Sequence, residues 1–121
     1  MPLVLYVDDD TMSLNLMEKV SKLLGYQALT CSSPTLAITM AQERQPDVIV
    51  ADLNMHEMDG VALIRAIRNQ LTTRHIPIIV LSATDADSGR RRSSAAGAND
   101  YITKPVAIDT LSDAIDRVLL A

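Results

Sequence analysis

Short apolar runs alternate with helical periodicities along the whole 121-residue chain. Residues 3–7, 27–31, 48–51, 78–81 and the pair Tyr101 and Ile102 read as strands. The runs at 3–7 and 48–51 are rich in Val and Leu or Ile and do not alternate with polar positions, the pattern of strands covered on both faces. Between the strands, Leu16, Val20, Leu23 and Leu24 fall on one helical face, and Gly25 offers a C-terminal stop. Ser33 and Pro34 supply the cap and first-turn residue of a second helix carrying Leu36, Ala37, Met40 and Ala41, which Pro46 closes. A loop runs to Asp59 and Gly60, and Leu63, Ile64, Ile67 and Leu71 mark a third helix. The fourth is the weakest: Asp85, Asp87, Ser88, Gly89, Ser93 and Ser94 are poor helix formers with few apolar anchors, so this segment is expected to be mobile up to a stop at Gly97. Leu111, Ile115, Val118 and Leu119 face inward from the last helix. Five βα units predict an α/β fold with a parallel, doubly wound sheet, helices on both faces, and ligands at the carboxyl ends of the strands.

Composition narrows the class. The length suits one domain, and 48% hydrophobic residues suffice for its core. A net charge of -4 argues against a nucleic-acid platform, which draws most of its affinity from a basic face. The single cysteine, Cys31, excludes an internal disulfide and reads as a buried structural thiol, so the cytoplasm is the expected compartment. The first apolar run is too short for a signal peptide or membrane span, and charge or proline interrupts the later ones, so no membrane association is expected.

Chemistry collects at the strand ends. Asp8 and Asp9 follow the first strand and Asp52 the third, which a parallel sheet brings to one edge. Carboxylates crowded there raise one another's pKa unless a cation neutralises them, implying a bound hard metal, a partly protonated state, or both. Ser82 ends the fourth run and Lys104, followed by Pro105, lies just past the fifth. Acids, a hydroxyl and a lysine converging without His or Cys nearby in sequence suit phosphoryl transfer onto a carboxylate with a divalent ion.

In order along the chain, "YVDDD", "VIVADLNM", "MDG", "IIVLSA" and "NDYITKP" resemble the receiver domain of two-component response regulators over essentially the whole length, as in single-receiver chemotaxis regulators. The resemblance implies one receiver domain over 1–121, with a flavodoxin-like sheet in strand order 2-1-3-4-5. It implies that Asp52 is the phosphoacceptor, served by a histidine kinase, a histidine phosphotransfer protein or a small phosphodonor. Mg²⁺, for which Mn²⁺ could substitute, would be held by Asp9, Asp52 and the backbone carbonyl of Asn54, with Asp8 acting through a water. Lys104 would pair with Asp52 or the phosphoryl group, the Ser82 hydroxyl would bond a phosphoryl oxygen after transfer, and the small Ala83 would leave access. Ser82 and Tyr101 would form the switch, with Asn54 and Thr84 tuning water access. The face made by the fourth helix, fifth strand and last helix would address a target protein, a linked effector domain or, after phosphorylation, a second copy. Such a domain catalyses its own phosphorylation and dephosphorylation and is not a turnover enzyme.

Blander roles and rival functions compete with these. Asp10 reads as a cap of the first helix. The family commonly has proline where this chain has His56, before Glu57, so the loop is expected to be more mobile, leaving the acyl-phosphate lifetime open. His56 reads as a solvent-exposed residue without partner ligands. Arg90, Arg91 and Arg92 read as a solvated helix face that could meet an acidic partner or a second copy. A haloacid-dehalogenase-like phosphohydrolase would need D-x-D-x-T, and Asp8, Asp10 and Met12 fail its last position. A flavin module would want aromatic stacking partners, whereas aromatics make up 2% of the chain. The output stays open: a stand-alone receiver and a segment of a transcription factor, hybrid kinase or cyclic-dinucleotide enzyme fit the chain equally.

Overall fold

The computed structural model describes residues 1–83 and 87–120. Five strands, β1 (Leu3–Val7), β2 (Gln27–Cys31), β3 (Val48–Asp52), β4 (Ile78–Ser82) and β5 (Asp100–Thr103), form one parallel sheet in the order β2-β1-β3-β4-β5. Helices α1 (Thr11–Leu24), α2 (Pro34–Arg44), α3 (Gly60–Arg68), α4 (Asp87–Ala96) and α5 (Ile108–Leu120) connect and follow them. This is the predicted doubly wound fold.

Strand residues alternate between two cores. Leu5, Val7, Ile49, Ala51, Ile78, Val80 and Tyr101 pack under α2, α3 and α4 against Ala37, Ala41, Ile64 and Ile67. Val4, Tyr6, Val48, Val50, Ile79, Leu81 and Ile102 pack on the other face against Leu14, Met17 and Val20 of α1 and Leu111, Ala114 and Ile115 of α5. With both faces covered, the strands need no polar alternation, which is why they read as unbroken apolar runs.

Local signals set the helix ends. Asp10 caps α1 by accepting from Met12 N–H at 3.0 Å, and Gly25 ends it in a left-handed conformation, φ 81°. Ser33 caps α2 with Pro34 in its first turn, and Gln45 ends it ahead of Pro46. Gly97, φ 116°, follows α4.

Two expectations are corrected. Leu16 and Leu23 are 57% and 78% exposed; α1 buries Leu14, Met17, Val20 and Ser21 instead. Ser21 belongs inside because its hydroxyl bonds Tyr6 Oη at 2.5 Å within the core. Helix α3 ends at Arg68, so Leu71 lies beyond it and is exposed. The Thr84 and Asp85 expectations lie outside the described residues.

Candidate functional site

The register dictates which side chains meet. Val7 pairs with Ala51 and Asp52 with Leu81, so Asp8, one residue past β1, stands level with Asp52, while Ser82 pairs with Thr103 just ahead of Lys104. The ladder continues past the strand ends: Leu53 N–H donates to Leu81 O at 2.9 Å, and Lys104 N–H to Ser82 O at 2.7 Å. Gly60 then lets α3 start hard against β3. A Cβ there would lie 2.7 Å from Asp52 O and Leu53 Cα, so a side chain would push the backbone that carries the Asp52 carboxylate. Sequence reasoning gave Gly60 only a boundary role; the "DG" step at the helix start was the signal.

Asp8 and Asp52 are buried and Asp9 half-buried. One carboxylate oxygen from each lies within 4.8 Å of the others. Lys104 Nζ enters between two of them, 3.1 Å from Asp8 Oδ2 and 3.6 Å from Asp52 Oδ2. Asp8 Oδ1 accepts from Asp10 N–H at 2.9 Å, Asp52 Oδ1 from Asn54 N–H at 3.3 Å, and Asp9 Oδ2 from His56 N–H at 2.8 Å. Asp10 faces away and caps α1, as expected.

Burial holds the Asp52 carboxyl above the usual carboxylate range; Lys104 and the Asn54 N–H pull it down, while Asp8 pushes it further up. Burial works on the Lys104 ammonium in the opposite sense, lowering its pKa, but Asp8 and Asp52 outweigh it and leave the value raised. Lys104 is therefore a fixed positive charge at neutral pH.

Ser82 is fully buried at the end of β4, and Ala83 beside it is exposed. Tyr101 is 8% exposed, its ring inside the core beneath α4 with Arg90 Cζ 4.6 Å from its centroid. A Cβ on Gly89 would come within 3.2 Å of the Tyr101 hydroxyl, so that glycine makes room for the inward ring. Arg92 pairs with Asp59 at 3.8 Å, so the basic run is only in part a solvated face. His56 is exposed as expected, although its N–H on Asp9 went unforeseen. Glu57 accepts from the Ser33 hydroxyl at 3.1 Å; bonds from Thr35, then Ser33, hold its carboxyl below the usual range. The loop thus carries two tethers in place of a proline.

The donor set fits a small divalent cation: among the described residues, three convergent carboxylate oxygens and no thiolate. A cleft of about 480 Å³ opens beside it between α1 and the β5–α5 loop, lined by Asp8, Leu16, Met17, Ala83, Lys104 and Val106 among others.

Residues 4–116 match the family model of the response regulator receiver domain. The transcriptional regulatory protein KdpE of Mycobacterium tuberculosis is 38% identical over 90% of this chain. The match takes in 47% of KdpE, so the chain spans about half the length of that relative. Among solved structures, the chemotaxis protein CheY4 of Vibrio cholerae superposes with a TM-score of 0.92 at 30% identity, covering 98% of both chains. The receiver domain of a Pseudomonas aeruginosa sensor histidine kinase, crystallised with a magnesium ion coordinated in its active site cleft, superposes with a TM-score of 0.91 at 28% identity, over 99% of this chain and 98% of that one.

Proposed function

The chain belongs to the response regulator receiver family, a signalling domain of two-component systems, and on that premise we propose that it is a phosphoacceptor switch with Asp52 as the nucleophile. The observation that carries the reading is the Asp52 carboxylate at the end of β3, one oxygen on the Asn54 N–H and the other facing Lys104, beside Asp8 and Asp9.

An Asp52 oxygen attacks phosphorus in line, forming an O–P bond as the bond to a histidine nitrogen, or to the acetate oxygen of acetyl phosphate, breaks. Asp9, Asp52 and the Asn54 carbonyl would hold Mg²⁺ or Mn²⁺, with Asp8 reaching it through water. When bound, the ion offsets charge on the phosphoryl oxygens. Lys104 keeps the incoming phosphoryl group beside a fixed ammonium, and Asp8 holds that ammonium in place. After transfer the Ser82 hydroxyl bonds a phosphoryl oxygen, and Tyr101, already seated beneath α4, moves with it. A shift of α4, β5 and α5 would then alter the surface offered to a target, an effector domain or a second copy.

We read residues 1–121 as this one domain, fed by a histidine kinase or a histidine phosphotransfer protein. Self-catalysed gain and loss of the phosphoryl group, without turnover of other substrates, belongs to the same proposal, as does a cytoplasmic setting. Among the described residues, no helix is long and apolar enough to cross a membrane.

Incubation with radiolabelled acetyl phosphate and Mg²⁺ tests the nucleophile. The wild type is expected to take up acid-labile label and Asp52→Asn to take up none; equal labelling of the two overturns the assignment.

A further inference from the structure

Helices α3 and α4 carry charge of one sign in an acidic protein. Five of the eleven basic side chains, Arg65, Arg68, Arg90, Arg91 and Arg92, lie on these two helices against Asp87 alone, while the whole chain has a net charge of -4. The molecule therefore has a basic face and an acidic remainder. A groove of about 430 Å³ opens between the two helices, lined by Arg65 from α3 and Arg92 from α4. Its other lining is small and apolar, from Val61, Ala62 and Ala66, and α4 has no large apolar side chain to fill it.

The charges in this groove are poorly matched from within. Among the described residues, no carboxylate pairs with the Arg65 guanidinium. Arg92 has Asp59 at 3.8 Å, with the two side chains 57% and 56% exposed, and an exposed pair that long holds its arginine weakly. The other oxygen of Asp59 accepts Ala62 N–H at 2.9 Å and caps α3, so the start of the helix fixes this carboxylate and keeps it from closing on Arg92.

We propose that the α3–α4 groove docks an acidic peptide segment of a partner protein, with Arg65 and Arg92 gripping its carboxylates. A guanidinium offers a planar fork that matches a carboxylate with two hydrogen bonds, and clustered arginines are a recurring means of reading acidic motifs. The small apolar lining between the forks suits a segment whose acids are separated by small side chains. A nucleic acid fits less well. Its backbone engages a basic face over many phosphates and would meet the acidic remainder of this molecule, whereas a short peptide meets the groove alone. The docking needs no phosphoryl group on Asp52, so it stands independently of the transfer chemistry.

Fluorescence anisotropy of the full chain with a fluorescein-labelled peptide of alternating Glu and Ala tests the assignment, beside a DNA oligonucleotide of matched charge. The wild type is expected to bind the peptide, and Arg65→Ala and Arg92→Ala each to weaken it by about fivefold or more. Alanine is a better helix former than arginine, so both variants should fold, and their melting temperatures check this. Asp59→Asn keeps a capping side chain but frees Arg92 of its competitor, and should tighten binding by about twofold to threefold. Arg44→Ala, in the last turn of α2, removes a charge outside the groove and should leave binding unchanged. Four results overturn the inference: no binding by the wild type, wild-type affinity in both arginine variants, an equal loss in Arg44→Ala, or DNA bound as tightly as the peptide. Sedimentation covers the remaining occupant. Self-association that Arg65→Ala and Arg92→Ala abolish would assign the groove to a second copy and overturn it as well.

Discussion

The two ends of the sheet treat charge in opposite ways. At the carboxyl end, Asp8, Asp9 and Asp52 crowd around one ammonium, and burial keeps Asp52 harder to ionise than a free carboxyl. At the amino end, where Arg117 pairs with Asp100 at the start of β5, the Arg68 guanidinium in the last turn of α3 meets neutral oxygens. Its Nε donates to Gly97 O at 3.0 Å, Nη1 to Arg74 O and Ile76 O at 3.0 and 2.6 Å, and Nη2 to Asn99 Oδ1 at 2.9 Å. Asn99 Oδ1 also accepts from Ile78 N–H, so one guanidinium ties α3, the approach to β4 and the α4–β5 turn together. The Arg68 end spends its charge on closing the fold; the aspartate end retains an electrostatic strain at the place where the proposed transfer would occur.

On that contrast, removing the charge of Arg68 costs stability and removing that of Asp52 adds it. The largest effect is expected from Arg68→Ala, which strips three carbonyls of their donor and should cost about 2–3 kcal/mol in urea denaturation. A loss under about 0.5 kcal/mol would dissolve the contrast. Gly60→Ala follows at about 2 kcal/mol, because its methyl must displace Asp52 and Leu53 backbone, and acetyl phosphate labelling should fall with it. Asp52→Asn carries the opposite sign. Burial raises its folded pKa, so the associated stability is present below the ordinary value of 3.8 and lost as pH rises through the folded value. The variant should therefore melt higher at pH 7, by about 3–5 °C, with the advantage gone below about pH 3.8. An unchanged melting temperature at pH 7 would mean that Lys104 and the Asn54 N–H already cancel the burial. The smallest effect is Leu23→Gln, within about 0.5 kcal/mol in the same denaturation, because that leucine faces solvent.

Strands and caps were the legible part of this sequence. Unbroken Val, Ile and Leu runs announce covered strands, and Gly25, Gly97 and the Ser33–Pro34 pair each stand where a backbone conformation demands them. The strand-end acids were legible for the same reason, since a parallel sheet brings its carboxyl ends together. The inner face of α1 was not. Its leucines allow a stripe through Leu16 and Leu23, and only the Tyr6 hydroxyl across the core explains why Ser21 points inward and turns those leucines out. The end of α3 is not legible either, because Leu71 continues the apolar period past Arg68. The contacts of His56, Glu57 and Arg68 were equally hidden, since each reaches a residue more than twenty positions away by a path that periodicity does not record.

Counted as charge, the carboxyl edge is two units short of neutrality, three carboxylates standing against the Lys104 ammonium. A monovalent ion leaves that deficit half filled and a trivalent one overshoots, so the arrangement sorts cations by valence before size or ligand preference acts. The proposed acyl phosphate on Asp52 would replace a monoanion with a near-dianion and reopen the deficit by one. For as long as that acyl phosphate lasted, the edge would hold a standing field that a partner could sense without touching the reacting atoms.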